Sequence, residues 1–255
     1  MKKYLLACCA IFYVFGAKAA NLENPMYMTS TGNVYVKALA EFPSDDGTDA
    51  VFAEEFGFGL TKGIMVYQKM GFSIGDKVEG QSQFLSDLVL GANFRVINSS
   101  YQLDILTRYE MNASKKYARG SVYDDTPSSY GESDNNMFLG IRAGKKIKES
   151  ILVVGRIGYD YYFNDPKLGN VRFESPDVSS LDFGFEIAFQ LTNVFSMNFS
   201  IDRFEHGHSD FDKTAVGLKL NYNLNSGMIV SGYAVYDAEQ EDDEMTFGAK
   251  FGYEF

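Results

Sequence analysis

Apolar and polar residues alternate with a period of two along most of this chain, which is the signature of strands buried on one face only. The clearest stretch sets Tyr101, Leu103, Ile105, Thr107, Tyr109 and Met111 against Gln102, Asp104, Leu106, Arg108 and Glu110. Nearly as regular is Leu181, Phe183, Phe185, Ile187 and Phe189 against Asp182, Gly184, Glu186, Ala188 and Gln190. The last stretch sets Met245, Phe247, Ala249, Phe251, Tyr253 and Phe255 against Thr246, Gly248, Lys250, Gly252 and Glu254. Twelve strands are predicted in this way, over 33–42, 51–60, 64–72, 84–96, 101–112, 136–146, 151–163, 181–190, 195–204, 214–224, 228–237 and 245–255. Short and long connections alternate strictly between them. The short ones are Thr61-Lys62-Gly63, Ile97-Asn98-Ser99-Ser100, Ile147-Lys148-Glu149-Ser150, Leu191-Thr192-Asn193-Val194 and Asn225-Ser226-Gly227, several of them built from typical turn residues.

Each segment has the length that a tilted strand needs to cross a bilayer core, about ten residues. A soluble sandwich has no reason to gather every long connection at one end. A membrane barrel does, because its periplasmic turns are short and its extracellular loops long. The predicted fold is therefore all-β: a transmembrane, antiparallel, up-and-down β-barrel of twelve strands within residues 33–255. Some strands are less regular. Gln68 interrupts the face made by Ile64, Val66, Met70 and Phe72, and Met228–Asp237 can be faced either way. Glu54 points outward with Phe52, Phe56 and Phe58 unless a bulge at Glu54-Glu55 resets the register. A ten-stranded barrel stays open as the alternative.

The N-terminus follows a different pattern. Lys2 and Lys3 precede a nearly unbroken apolar or small run from Tyr4 to Ala17, and Ala17-Lys18-Ala19 is a small-x-small site, so residues 1–19 read as a secretory signal peptide. The run is too short for a membrane helix, which needs about 20 apolar residues. Leu5-Leu6-Ala7-Cys8 is a poor lipoprotein box, since cleavage there would leave a very short signal. Cleavage after Ala19 removes both cysteines together with Lys2, Lys3 and Lys18, leaving 20 basic against 34 acidic groups, a net charge of −14. Such an acidic, cysteine-free chain is not expected to bind nucleic acid or to carry thiol chemistry. Residues 20–32 are expected to form a periplasmic tail with no recognisable fold.

An export signal, alternating strands and a last strand that closes on Phe255, with aromatics at Phe251 and Tyr253, resemble the outer-membrane β-barrel proteins of Gram-negative bacteria. The resemblance implies a location in the bacterial outer membrane, contact with outer-membrane lipid and lipopolysaccharide, and recognition of Phe251, Tyr253 and Phe255 by the barrel-assembly machinery. On function it implies little, because one barrel type serves porins, enzymes, adhesins and transporters.

Twelve tilted strands enclose a backbone cylinder on the order of 25 Å across, narrow once side chains line it. Alternation places Lys37, Asp87, Asp104, Arg108, Glu110, Arg142, Arg156, Asp160, Asp182, Glu186, Asp202, Lys219 and Lys250 inside, with glycines such as Gly91, Gly140, Gly158, Gly184 and Gly217 leaving room. Arg108, Arg142 and Arg156 come from three consecutive strands, and Asp182, Glu186 and Asp202 from those that follow, with Asp160 beside Arg156. Such walls either set up a transverse field in a conducting pore or pair and close the lumen, because unpaired buried charge is costly. Passive passage of small hydrophilic solutes is the leading expectation, and a closed, surface-exposed structural or adhesive barrel the alternative.

An enzyme is not expected, nor is a cofactor. His206 and His208 share one outer loop with Glu205, Ser209, Asp210 and Asp212, the residue types of a hydrolase rim or a metal pair, but without the spacing of either. A solvated loop is the expectation there. The acidic tips Asp45-Asp46-Gly47-Thr48-Asp49 and Glu239 to Glu244 lack the ligand order of a calcium loop. The loop 113–135 is basic at Lys115, Lys116 and Arg119 and acidic at Asp124, Asp125, Glu132 and Asp134, and points to no single role.

Overall fold

The computed structural model describes residues 22–44, 50–74, 87–112, 135–163, 167–168, 171–172, 174, 179–207, 212–224, 227–238 and 244–255. Twelve long strands form a single closed barrel: β1 (Val34–Pro43), β2 (Ala50–Thr61), β3 (Ile64–Ile74), β4 (Asp87–Asn98), β5 (Tyr101–Asn112), β6 (Asn136–Lys148), β7 (Ile151–Tyr162), β10 (Ser180–Gln190), β11 (Phe195–His206), β12 (Lys213–Asn223), β13 (Met228–Asp237) and β14 (Glu244–Glu254). Two further strands, β8 (Lys167–Leu168) and β9 (Val171–Arg172), make a small ribbon in the connection between β7 and β10. Every barrel strand pairs antiparallel with its sequence neighbours among the twelve. Closure comes from β1 against β14, in register from Tyr35 opposite Glu254 to Pro43 opposite Thr246. The ten-stranded alternative is excluded.

The alternation decides the two faces. Phe42, Phe52, Phe56, Phe58, Leu90, Phe94, Ile105, Leu139, Ile141, Ile157, Phe183, Phe185, Phe199, Ile201, Leu218, Leu220 and Phe247 are all exposed on the outside. An apolar band of this extent would be an aggregation surface in water and is the lipid-facing belt of a membrane barrel. Glu54 stays on this face, paired in normal register with Met70 and Ala38, and no bulge intervenes. Glu55 turns inward and accepts a hydrogen bond from the Tyr35 hydroxyl at 2.5 Å.

Three register shifts occur, all beside short turns: between Gly59 and Thr61, between Arg95 and Ile97, and between Lys146 and Lys148. The extra residues, Leu60, Val96 and Ile147, are each apolar and exposed. A bulge lets two successive residues oppose one, so the period of two breaks there although pairing continues. For that reason β2, β4 and β6 run on to Thr61, Asn98 and Lys148, past the positions where alternation stops. The predicted start of the fourth strand at residue 84 lies outside the described residues, which resume at Asp87 within β4.

Most of the inward glycines do not widen the lumen, although Gly184 borders the cavity beside Arg156 and Asp202. Tyr35 lies over Gly57, Tyr67 over Gly91 and Tyr233 over Gly248, each ring covering the directly paired residue of the next strand. Phe138 covers both Gly140 and Gly158. A Cβ at residue 91 would stand 2.1 Å from Tyr67 Cζ. Glycine is there to seat a ring, and the ring thickens the wall. Gly91→Val is therefore expected to lower stability by about 1–3 kcal/mol through overpacking, read as a shifted urea midpoint. Combining it with Tyr67→Ala should recover part of that loss, and additive losses would contradict the seating.

Candidate functional site: the barrel lumen

Residues 22–32 contain no strand or helix, yet they do not hang free: they fold into the lumen at the end of the barrel that carries the short turns. Apolar burial draws them in. Leu22 packs with Tyr35, Met65 and Ile229, and Met26 packs with Leu152 and Val154. Asn24 shapes the bend, its side-chain oxygen accepting from Met26 N at 2.8 Å and its carbonyl from Tyr27 N at 2.8 Å. The Asn198 amide donates to the carbonyl of Glu23 at 3.1 Å, and Arg95 Nη2 donates to the carbonyl of Met26 at 2.6 Å. At Gly32 the backbone takes φ of 83°, a left-handed turn that glycine adopts without strain, and Gly32 N donates to the Gly59 carbonyl as the chain enters β1.

The Glu23 side chain is almost fully enclosed, with 5% of the residue exposed. Lys219 Nζ lies 2.9 Å from one carboxylate oxygen and Lys37 Nζ 3.8 Å from the other. Burial alone would push this carboxyl up, but the attraction of Lys219, Lys250 and Lys37 together with the Lys219 hydrogen bond outweighs it and holds the group down at about 2. Its stabilising contribution is therefore complete above its ordinary value of 4.5 and is lost only as pH falls toward 2.

Around β4 to β11 the lumen wall is an interlocked set of arginines and carboxylates. Asp104, with no exposed surface, accepts from Arg95 Nε at 2.7 Å, Arg95 Nη2 at 3.0 Å and Arg142 Nη2 at 2.9 Å. Arg108 donates to Asp160 at 2.9 Å and stacks over Phe138, 4.8 Å from the ring centre. Arg156 donates to Asp202 at 3.0 Å, Ser180 donates to Asp182 at 2.6 Å, and the Asn198 amide donates to Glu186 at 2.6 Å. The three arginines thus lie among their acidic partners rather than on a positive wall facing a negative one. Around β12, β14, β1 and β3 the character changes to lysines: Lys219, Lys250, Lys37 and Lys69. Here Glu41 is held by the Tyr233 hydroxyl, and Glu55 by Tyr35 and, at 3.7 Å, by Lys37.

Between the two arcs a cavity of about 170 Å³ remains, with residues Leu22 to Pro25 and Tyr27 as part of its wall. Lys37, Lys69, Lys219, Lys250, Arg142 and Arg156 all border it. The side chain of Asp87 and residues 45–49, 113–134, 208–211 and 239–243 lie outside what the structure describes, and with them His208, Ser209, Asp210 and most of the acidic tips. His206 ends β11, and its backbone N–H donates to Asp212 at 2.8 Å, while Arg203 donates to the same carboxylate at 3.0 Å. Asp212 is thus committed to backbone and guanidinium. Among the described residues no three His, Cys, Asp or Glu side chains cluster as a metal site. Phe251 and Tyr253 sit on the closing strand, Tyr253 edge-on to Phe255 at 4.6 Å, and Phe255 N donates to the Val34 carbonyl at 2.7 Å.

The inserted segment was not legible as such, although its composition carried a signal. A solvated tail has no need of Leu22, Met26, Tyr27 and Met28, and β12 places Lys219 inside with no carboxylate on its own strand.

No protein-family sequence profile matches the chain, and no curated protein matches it. Solved structures do. The COG4313 outer membrane channel from Pseudomonas putida F1 superposes with a TM-score of 0.64 at 12% identity, covering 91% of this chain and 99% of that one. The NanC porin gives 0.61 at 7% identity over 86% and 98%, and the KdgM porin in complex with disordered oligogalacturonate gives 0.59 at 11% identity over 87% and 99%. At these identities the likeness concerns the fold: the chain is an outer-membrane-type β-barrel similar in architecture to porins and channels.

Proposed function

We propose that this protein is a channel of the bacterial outer membrane that lets small hydrophilic solutes pass without catalysis. The observation that carries the reading is the polar cavity inside a closed barrel, bordered by Lys37, Lys69, Lys219, Lys250, Arg142 and Arg156. A purely structural barrel gains nothing from lining an internal space with cations, since each must be desolvated or paired. The fold shared with porins and an outer membrane channel supports the same reading. A closed structural or adhesive barrel is the second reading, favoured by the inserted segment and by the pairing of Arg108 and Asp160 out of contact with water.

Single-channel recording of the refolded protein separates the two. Arg156 and Asp202 each keep about an eighth of their side-chain surface accessible. Fixed charges are screened over about 8 Å at physiological salt, so a lining arginine still acts on ions that pass it. Arg156→Ala is expected to shift the reversal potential toward cations, more strongly at low salt, and to cost less stability than Arg108→Ala, because Asp202 keeps some contact with water. Arg108→Ala should instead cost about 3–5 kcal/mol, because it leaves Asp160 buried and unpaired. A parent barrel that never conducts, with both variants destabilised alike, would favour the closed barrel.

In the same reading the terminal aromatics serve assembly and the outer band meets outer-membrane lipid and lipopolysaccharide. Deleting Phe255 removes its backbone bond to Val34 and its ring against Tyr253, yet should lower outer-membrane yield several-fold while the urea midpoint of the refolded protein moves little. Normal assembly of the shortened chain would refute that role.

A further inference from the structure

We propose that Lys37, Lys219 and Lys250 form a carboxylate-binding site inside the barrel, that Glu23 of the chain's own N-terminal segment occupies it at rest, and that a carboxylate-bearing solute displaces Glu23 from it. The inference deepens the channel reading and rests on it, since a solute must reach the lumen. Three strands, β1, β12 and β14, bring their ammonium groups toward one point, and like charges gathered in a partly desolvated wall require an anion between them. Glu23 supplies it, 2.9 Å from Lys219 and 3.8 Å from Lys37. Lys250 stands 5.3 Å from the ring centre of Tyr233, on the strand beside β12, and lies within electrostatic reach of the same carboxylate.

Two features make the occupant exchangeable. The segment is tied by side-chain bonds to the Glu23 and Met26 carbonyls, by Thr29 against Met65, by the contacts of Thr31 and Gly32 with Gly59 and by the burial of Leu22 and Met26, rather than by a strand ladder. Glu23, Asn24 and Pro25 also border the cavity together with all three lysines, so a solute resting there meets the cradle and its occupant at once. Glu55 lies 3.7 Å from Lys37 and shares that lysine, which leaves Lys219 as the main anchor of Glu23. An incoming carboxylate would take the same ammonium groups, and releasing Glu23 would draw residues 22–26 off the floor of the passage. The chain's own acid thus acts as a stand-in for an acidic solute.

The test uses the chain from residue 20 onward, which lacks cysteine, with Met26→Cys as a reporter. Met26 is buried against Leu152 and Val154, so its thiol should react slowly with a maleimide in the refolded barrel. Sodium gluconate, compared with sodium chloride at the same ionic strength and with neutral galactose, should accelerate the reaction, while chloride and galactose do not. Adding Glu23→Gln should accelerate it at least about tenfold without any solute, as loss of a charge-assisted hydrogen bond implies, and abolish the gluconate effect. Lys219→Gln removes the same 2.9 Å contact and should behave alike if Glu23→Gln fails to assemble. Equal acceleration by gluconate and chloride, or unchanged slow labelling in both variants, overturns the proposal. Conductance is recorded on the same samples: a barrel that conducts with labelling unchanged retains the channel and loses the cradle, whereas one that labels as expected but never conducts does the reverse.

Discussion

Everything in this molecule follows from the requirement that no backbone N–H or C=O be left without a partner where hydrocarbon replaces water. Only closure satisfies it for strands, and closure here is the pairing of β1 with β14 along nearly their whole lengths. That pairing joins the two ends of the described chain, so the last aromatic residues and the segment preceding β1 meet at one place on the wall. Val34 takes its hydrogen bond from Phe255, and two residues earlier Gly32 turns the chain out of the lumen into the ladder. The apolar outer band is the second consequence, since a wall without edges still has to present a face to lipid.

Closure also creates an interior that is neither solvent nor protein core. Charges placed there have lost much of their hydration, and each must find a partner across one or two strands. Asp104 pairs with two arginines, Arg95 and Arg142, and Asp160 pairs with Arg108. Tyrosines over glycines and Phe138 over Gly140 and Gly158 fill the space between these pairs. In the lysine arc Glu55 of the wall shares Lys37 with Glu23, a carboxylate that comes from outside the barrel wall and also meets Lys219. The inserted segment is in this sense the electrostatic complement of β1, β12 and β14.

The period of two made the twelve strands and their facing legible, because every residue pointing inward in β5 or β10 is flanked by residues pointing to lipid. It was least informative where a bulge breaks the period. Alternation stops at Leu60, Val96 and Lys146, whereas hydrogen bonding continues to Thr61, Asn98 and Lys148. Spacing alone could not tell that an inward glycine is a seat for a ring, because that depends on register with the next strand: Gly91 is covered since Tyr67 happens to face it. Nor could it choose partners among the lumen charges. Arg156 reaches past β10 to Asp202, while Arg142 turns to the adjacent Asp104. The N-terminal segment was illegible for a different reason: it has no periodicity, and its place is set by burial of Leu22 and Met26 and by the ion pairs of Glu23 with Lys37 and Lys219, the latter far away in sequence.

Residues 22–32 lie inside the barrel and, in the proposed channel, form a removable part of the passage. The direct measurement is planar-bilayer conductance of the chain from residue 20 onward beside one that begins at residue 30, both first shown to migrate as heat-modifiable, folded barrels. A higher conductance or longer open time in the shorter chain is the expected result. Two folded barrels that are equally silent, or that conduct identically, would contradict it.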